Sequence, residues 1–159
     1  MIQTQASIVI DRPVSEVFAY VGDQTNAPHW QSGLVEVTRL TDGPIGIGTR
    51  HSFVRTFMGR RMEARNEYTA YEPGQRITFR TTSGPVPLEA AYLFESVAGG
   101  TRLTSRIDMD AKGFVKLAEP LIGRSLQRDV AANFIVLKAL LEKPSTAPIS
   151  HADDQGRRS

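Results

Sequence analysis

The 159-residue chain has no cysteine, three histidines and one tryptophan. Without a thiol there is no disulfide framework, no cysteine-ligated zinc, no iron–sulfur cluster and no thiol nucleophile, and the redox compartment goes unreported. His29, His51 and His151 are the only imidazoles, and no His-Glu-x-x-His or similar spacing joins them. No metal and no cofactor are therefore expected. Charge of one sign is also scarce: 19 Lys and Arg stand against 17 Asp and Glu, a formal net charge of +2. A nucleic-acid binder would carry a concentrated basic stripe with aromatics between. The densest cluster here, Arg60, Arg61 and Arg65, sits around an expected hairpin turn, so no nucleic-acid partner is expected. No 18 apolar residues run together, and Met1 to Asp11 has no basic n-region. Neither a signal peptide nor stable membrane insertion is expected, and the default reading is a cytoplasmic soluble protein. The run Gly43-Pro44-Ile45-Gly46-Ile47-Gly48 precedes a strand, so it offers phosphate no helix N-terminus. No Gly-x-Ser-x-Gly elbow occurs either.

What is present is one domain's worth of chain with 40% hydrophobic residues. Ile2, Thr4, Ala6, Ile8 and Ile10 alternate as in a half-buried strand. Pro13, Ser15 and Glu16 then mark a helix start, with Val14, Val17, Phe18 and Val21 along one side and Gly22 at the end. A second short helix is expected from Asn26, a good cap, through Pro28 to Trp30. From Leu34 to Met109, turn signals such as Asp42-Gly43-Pro44, Glu72-Pro73-Gly74-Gln75 and Ala98-Gly99-Gly100 separate about six runs rich in Thr, Val, Tyr, Phe and Ile. Those runs suit an antiparallel meander. From Phe114 to Glu142, Val115, Ala118, Ile122, Leu126, Val130, Phe134, Leu137 and Leu141 recur at helical steps, with a start or a kink near Pro120. Residues 144–159 read as a disordered tail after a domain of residues 1–143.

The order is strand, two short helices, six strands, one long helix. In that order the chain carries Ile8-x-Ile10-x-x-Pro13-x-x-x-Val17-Phe18, Trp30 after Pro28, Gly46-x-Gly48-Thr49, Tyr71-Glu72-Pro73 and Gly100-Thr101-Arg102-Leu103. Over nearly all of residues 1–143 it resembles the polyketide cyclase/dehydrase and lipid-transport family of the START-like (SRPBCC, birch-pollen-allergen) superfamily. The resemblance implies an α+β helix-grip fold, with a strongly curved seven-stranded antiparallel sheet wrapped around the long C-terminal helix and a cavity between them. It leaves activity open, because one fold hosts many functions.

Strand alternation proposes the cavity wall independently. His51, Phe53, Arg55 and Phe57 share one face of their strand. Met62, Ala64, Asn66, Tyr68 and Ala70 form the inward set of the next, since Glu63, Arg65 and Glu67 take the other face. The same test gives Ile77, Phe79 and Thr81; Ala90, Tyr92 and Phe94; and Leu103, Ser105, Ile107 and Met109. With Trp30 and Phe134 these describe an aromatic pocket with a few polar points. The expected ligand-binding residues are Trp30, Phe53, Arg55, Phe57, Asn66, Tyr68, Phe79, Tyr92, Phe94, Ile107, Met109 and Phe134. For each phenylalanine core packing is the competing reading, and Trp30 serves equally as a lid or core anchor. His51 reads as a solvated strand-end residue ahead of a ligand contact. An inward Arg55 would need a partner. Glu63, Glu67, Glu89 and Glu95 all fall outside, leaving a ligand anion, whereas a one-residue slip would put Arg55 itself outside.

Three functions compete at this point. The first is binding of a small hydrophobic or aromatic molecule, with or without an anionic group. The second is a cyclase/dehydratase-type enzyme using Arg55, His51, Tyr68 and Tyr92 for acid–base work. The third is an interaction module with a vestigial cavity, against which the charged outer faces argue. Pairing as a homodimer stays open.

Overall fold

The computed structural model describes residues 2–57, 59–110 and 119–143, with the backbone alone for Phe57 and Glu119. The elements are β1 (Ile2–Ile10), α1 (Val14–Gly22), a 3₁₀ helix (Gln24–His29), β2 (Leu34–Arg39), β3 (Arg50–Phe57), β4 (Arg60–Glu72), β5 (Arg76–Ser83), β6 (Leu88–Val97), β7 (Gly100–Met109) and α2 (Glu119–Glu142). The seven strands form one antiparallel sheet in the order β1-β7-β6-β5-β4-β3-β2. The two strands flanking the short helices thus lie at opposite edges, and the helical segment crosses between them. This is the α+β helix grip that the family resemblance implies.

The short helices begin as local chemistry dictates. Pro13 precedes α1, and its carbonyl accepts from the backbone N–H of Glu16 and Val17. The 3₁₀ helix is capped by Asp23, which accepts from both the backbone N–H and the hydroxyl of Thr25. Asn26, the expected cap, lies inside that helix and its side chain instead donates to the Tyr20 carbonyl. A carboxylate one residue beyond a helix end is the stronger acceptor for exposed N–H groups, which explains the earlier start.

Gly100 opens β7 with φ near +129°, and a Cβ there would run into the carbonyl oxygen of Ile10. Only glycine lets β7 approach the end of β1 so closely. Bulges interrupt the ladder between Leu34 and Glu36 and again in β4 at Arg65/Asn66 and Tyr68/Ala70. The last one corrects an expectation. Past it, Tyr71, not Ala70, stands opposite the fully buried Ile77 and packs on the core. One extra residue swaps the faces of everything beyond it.

The core joins Ile10, Val17, Phe18, Val21, Trp30, Tyr68, Ile77, Phe94, Leu103, Phe134 and Leu137. Phe18 meets Phe94 and Tyr71 edge-on, with ring centroids 4.9 and 5.1 Å apart. Helix α2 is described from Glu119, with Pro120 in its first described turn; the expected helical residues Phe114, Val115, Lys116 and Ala118, and residues 144–159, lie outside the described residues. The far end of α2 is held polar-to-polar. Arg12 Nε donates to the Leu141 carbonyl at 2.8 Å, Glu142 Oε1 accepts from the Asp11 N–H at 2.8 Å, and Lys138 Nζ donates to the Val9 carbonyl at 2.7 Å. No helix among the described residues is long and apolar enough to cross a membrane.

Candidate functional site

Between the concave sheet and α2 lies a cavity of about 540 Å³, within the usual range of small-molecule sites. Strands β3 to β7 supply Phe53, Arg55, Met62, Ala64, Asn66, Phe79, Thr81, Ala90, Tyr92, Ser105, Ile107 and Met109. Trp30, Gln31, Ser32 and Gly33 close one side between the 3₁₀ helix and β2, and α2 contributes Leu126, Asp129, Val130, Asn133 and Phe134. Of the twelve residues expected to meet a ligand, the cavity wall therefore includes Trp30, Phe53, Arg55, Asn66, Phe79, Tyr92, Ile107, Met109 and Phe134. Trp30 is also 5% exposed and part of the core, so core anchor and cavity wall are one role. Its ring lies 6.2 Å from Phe134 and 6.3 Å from Tyr92, and Tyr92 lies 5.8 Å from Phe79. The result is a continuous aromatic surface.

Arg55 points inward. Its neighbour pairs Leu34 and Met62 put it on the same side as Phe53, and the bulge in β2 leaves the β3 alternation intact. Protein surrounds the guanidinium on most sides while the cavity mouth keeps it open to solvent. Burial lowers its pKa, opposed by Tyr92, yet an arginine so placed stays charged. Its Nη2 donates to Gln31 Oε1 at 2.9 Å, and Gln31 Nε2 reaches the Tyr92 hydroxyl at 3.5 Å. Burial pushes Tyr92 up to about 12, against Arg55 and the Gln31 hydrogen bond, which pull it down. Tyr92 is thus a neutral donor at physiological pH. Among the described residues no carboxylate forms an ion pair with Arg55. Asp129 on α2 does line the cavity, although strand alternation places every acid outside. Nothing in the helical stripe singles it out, since it lies beside Val130 and off the apolar line.

Three expected residues lie elsewhere. Tyr68 and Phe94 are in the core, 1% and 7% exposed. Tyr68 donates its hydroxyl to the Gly22 carbonyl at 2.7 Å, and burial, with Tyr92, Tyr71 and Asp23 around it, raises its pKa. A phenol so fixed has no proton to exchange with a ligand. His51 is fully buried, correcting the solvated reading; it stands beside Asn66 on the inner face, behind the cavity wall. Burial lowers its pKa to about 4; Asp23 raises it and Arg39 lowers it further. The side chain of Phe57 lies outside the described residues.

The residues that strand reasoning missed are Gln31, which bridges Arg55 and Tyr92, and Asn133, which accepts from the Ser32 N–H at 3.1 Å across the cavity mouth. Both depend on how helical segments dock onto the sheet, and no local pattern in the sequence reports that. Among the described residues no cluster of three potential metal ligands occurs. A second depression of about 480 Å³, lined by Leu40, Thr41, Arg50, Arg65, Thr82 and Ser83, has no aromatic in its wall and lacks the surface a hydrophobic ligand needs.

Comparison with known proteins agrees with this architecture. The family model described as polyketide cyclase / dehydrase and lipid transport matches residues 1–142. A solved structure from Thermus thermophilus superposes with a TM-score of 0.75 at 18% identity, covering 86% of this chain and 94% of that one. The Zhui aromatase/cyclase from Streptomyces sp. R1128 gives 0.69 at 13%, covering 88% and 93%. A START superfamily protein from Mycobacterium smegmatis gives 0.69 at 15%, covering 88% and 97%. At these identities the likeness is one of fold. No curated protein matches the chain.

Proposed function

The chain belongs to the polyketide cyclase / dehydrase and lipid transport family, and from that premise we propose that it binds a small aromatic or hydrophobic molecule bearing an anionic group between its sheet and α2. The observation that carries this reading is Arg55. A full positive charge stands in an aromatic-lined cavity with a neutral amide, Gln31, as its hydrogen-bond partner. A carboxylate, phenolate or enolate on the ligand would complete its fork with charge-assisted bonds. The aromatic surface of Trp30, Phe79 and Phe134 supplies apolar burial for the remainder. A cavity of this volume also argues against an interaction module with a vestigial pocket. The protein is read as acting in the cytoplasm.

Tyr92 supports a second reading, a cyclase/dehydratase-type reaction. Its neutral phenol is hydrogen-bonded through Gln31 to Arg55, so the arginine could stabilise an enolate while the phenol supplies a proton.

A thermal-shift screen of aromatic acids, flavonoids, sterols and fatty acids, each acid paired with its methyl ester, tests the binding reading. Acids should raise the melting temperature more than their esters, and Arg55→Gln should abolish the difference. Equal shifts for acid and ester, or no shift from any compound, would overturn it. For the second reading, turnover of a poly-ketone that survives Tyr92→Phe would exclude the phenol as proton donor.

A further inference from the structure

Arg50 and Arg65 immediately precede His51 and Asn66, which face inward, so both arginines take the outer face of the sheet. Arg50 stands opposite Glu67 and Arg65 opposite Ser52, which makes the two arginines a diagonal pair about 7–8 Å apart, a span that long side chains bridge. Between them and the end of β5 lies the depression of about 480 Å³, with Leu40, Thr41, Thr82 and Ser83 completing its wall. A bulge shapes the β5 side. Arg65 pairs with Ser83 and Asn66 with Thr81, so Thr82 is an extra residue with no partner across the strands. Just beyond, Gly84 has φ near +133°, and a Cβ there would lie 2.8 Å from that of Ala64. Glycine lets the chain turn tightly against β4 and keeps Ser83 beside Arg65.

The polar groups of this wall are free to donate. Thr41 Oγ1 accepts from the Arg50 backbone N–H at 3.1 Å, which leaves its own proton to give. Among the described residues the side chains of Arg65, Thr82 and Ser83 make no hydrogen bond and no ion pair. Of the acids on this face, Glu63 takes the Ser52 hydroxyl at 3.0 Å, and Glu67 is shared loosely by Arg50 and Arg80 at 4.0 and 3.8 Å. No carboxylate lines the depression. Two arginines and three hydroxyls with no acid among them suit a group with several anionic oxygens. Phosphate fits this set better than a planar carboxylate, because its three terminal oxygens can take donors from β3, β4 and β5 together. Leu40, an exposed apolar side chain, borders the depression where an ester's organic part would lie.

We propose that Thr41, Arg50, Arg65, Thr82 and Ser83 form a phosphate-binding site on the outer face of the sheet, which takes inorganic phosphate or the phosphate monoester of a small molecule or lipid headgroup. Arg65 lines both this depression and the aromatic cavity, but the site does not depend on what that cavity binds.

Inorganic phosphate is titrated into the full chain while the arginine Nε–H and backbone amide signals are followed by ¹H–¹⁵N NMR, at constant ionic strength because exposed charges are screened by salt. Saturable shifts are expected at Arg50, Arg65, Thr82 and Ser83, and chloride at the same ionic strength should leave them in place. Arg65→Gln should weaken binding at least about tenfold, the worth of one charge-assisted contact. Thr82→Val keeps shape and charge and should weaken it about fivefold. Two further probes separate the sources. Saturable binding of glycerol phosphate without recruitment to vesicles supports a soluble ester. Recruitment to phosphatidylcholine vesicles only when they contain phosphatidic acid, lost in Arg65→Gln, supports a headgroup. Shifts that do not saturate, shifts reproduced by chloride, or shifts confined to Arg55 in the cavity would overturn the site.

Discussion

The hydroxyl of Tyr68, in the middle of β4, donates to the carbonyl of Gly22 at the end of α1, 2.7 Å away and 46 positions back along the chain. That buried bond ties the helical crossover to the floor of the sheet. Tyr68→Phe leaves the Gly22 carbonyl unpaired and should destabilise the fold by about 1–3 kcal/mol. Ligand affinity in the variant should be unchanged, since the ring stays and the hydroxyl faces away from the cavity. Urea unfolding together with calorimetry reads both; a stable variant with weakened binding would return Tyr68 to the site.

Gly100 offers a sharper stability test. Its φ near +129° and the Ile10 carbonyl lying where a side chain would go leave no room for a methyl group. Gly100→Ala must move the β1–β7 junction or fail to fold, at a cost above about 3 kcal/mol. Gly99→Ala meets no atom within 4 Å at its Cβ, so backbone conformation alone should cost it about 1 kcal/mol. Melting temperatures within a degree of each other for the two variants would contradict this packing.

His51 sets an acid limit. Its folded-state pKa of about 4 lies below the ordinary 6.5, because burial disfavours the charged ring. The unfolded chain therefore binds the extra proton first as pH falls. Stability from this group is complete well above 6.5 and is lost on acidification toward 4, by about 3 kcal/mol. His51→Phe removes the titration and should flatten that part of the profile. Parallel urea midpoints for wild type and variant from pH 7 to about 4 would refute the assignment.

Ligand binding should respond to pH quite differently. Arg55 keeps its charge and Tyr92, pushed up to about 12, keeps its proton. Affinity for a carboxylate ligand should thus be flat between about pH 6 and 9 and fall only as the ligand's own acid is protonated. A break near 7 in a calorimetric series would point to a titrating group in the wall that this cavity does not contain among its described residues.

Much of the architecture is legible in the chain itself, because alternation in Ile2–Ile10 and helical spacing from Ile122 to Leu141 each follow from one buried face. The wall residues on β3 and β5 to β7 are accessible by the same period-two logic. Ala70 is misplaced by it because a bulge leaves no trace in alternation. His51 is misjudged because nothing in its own strand shows that the 3₁₀ helix comes to rest over that end of the sheet. Gln31, Asp129 and Asn133 enter the site through docking of helical segments, a long-range outcome that local pattern does not encode.

The clasp on α2 changes character along the helix. Asp11, Arg12 and Val9 hold Glu142, Leu141 and Lys138 by polar contacts, Phe134 and Leu137 are buried in the core, and Asn133 meets Ser32 beside the cavity. The helix is therefore seated chiefly by apolar burial, so the wall it lends the cavity shares the fate of the core, and losing the Asn133–Ser32 bond alone leaves that wall standing.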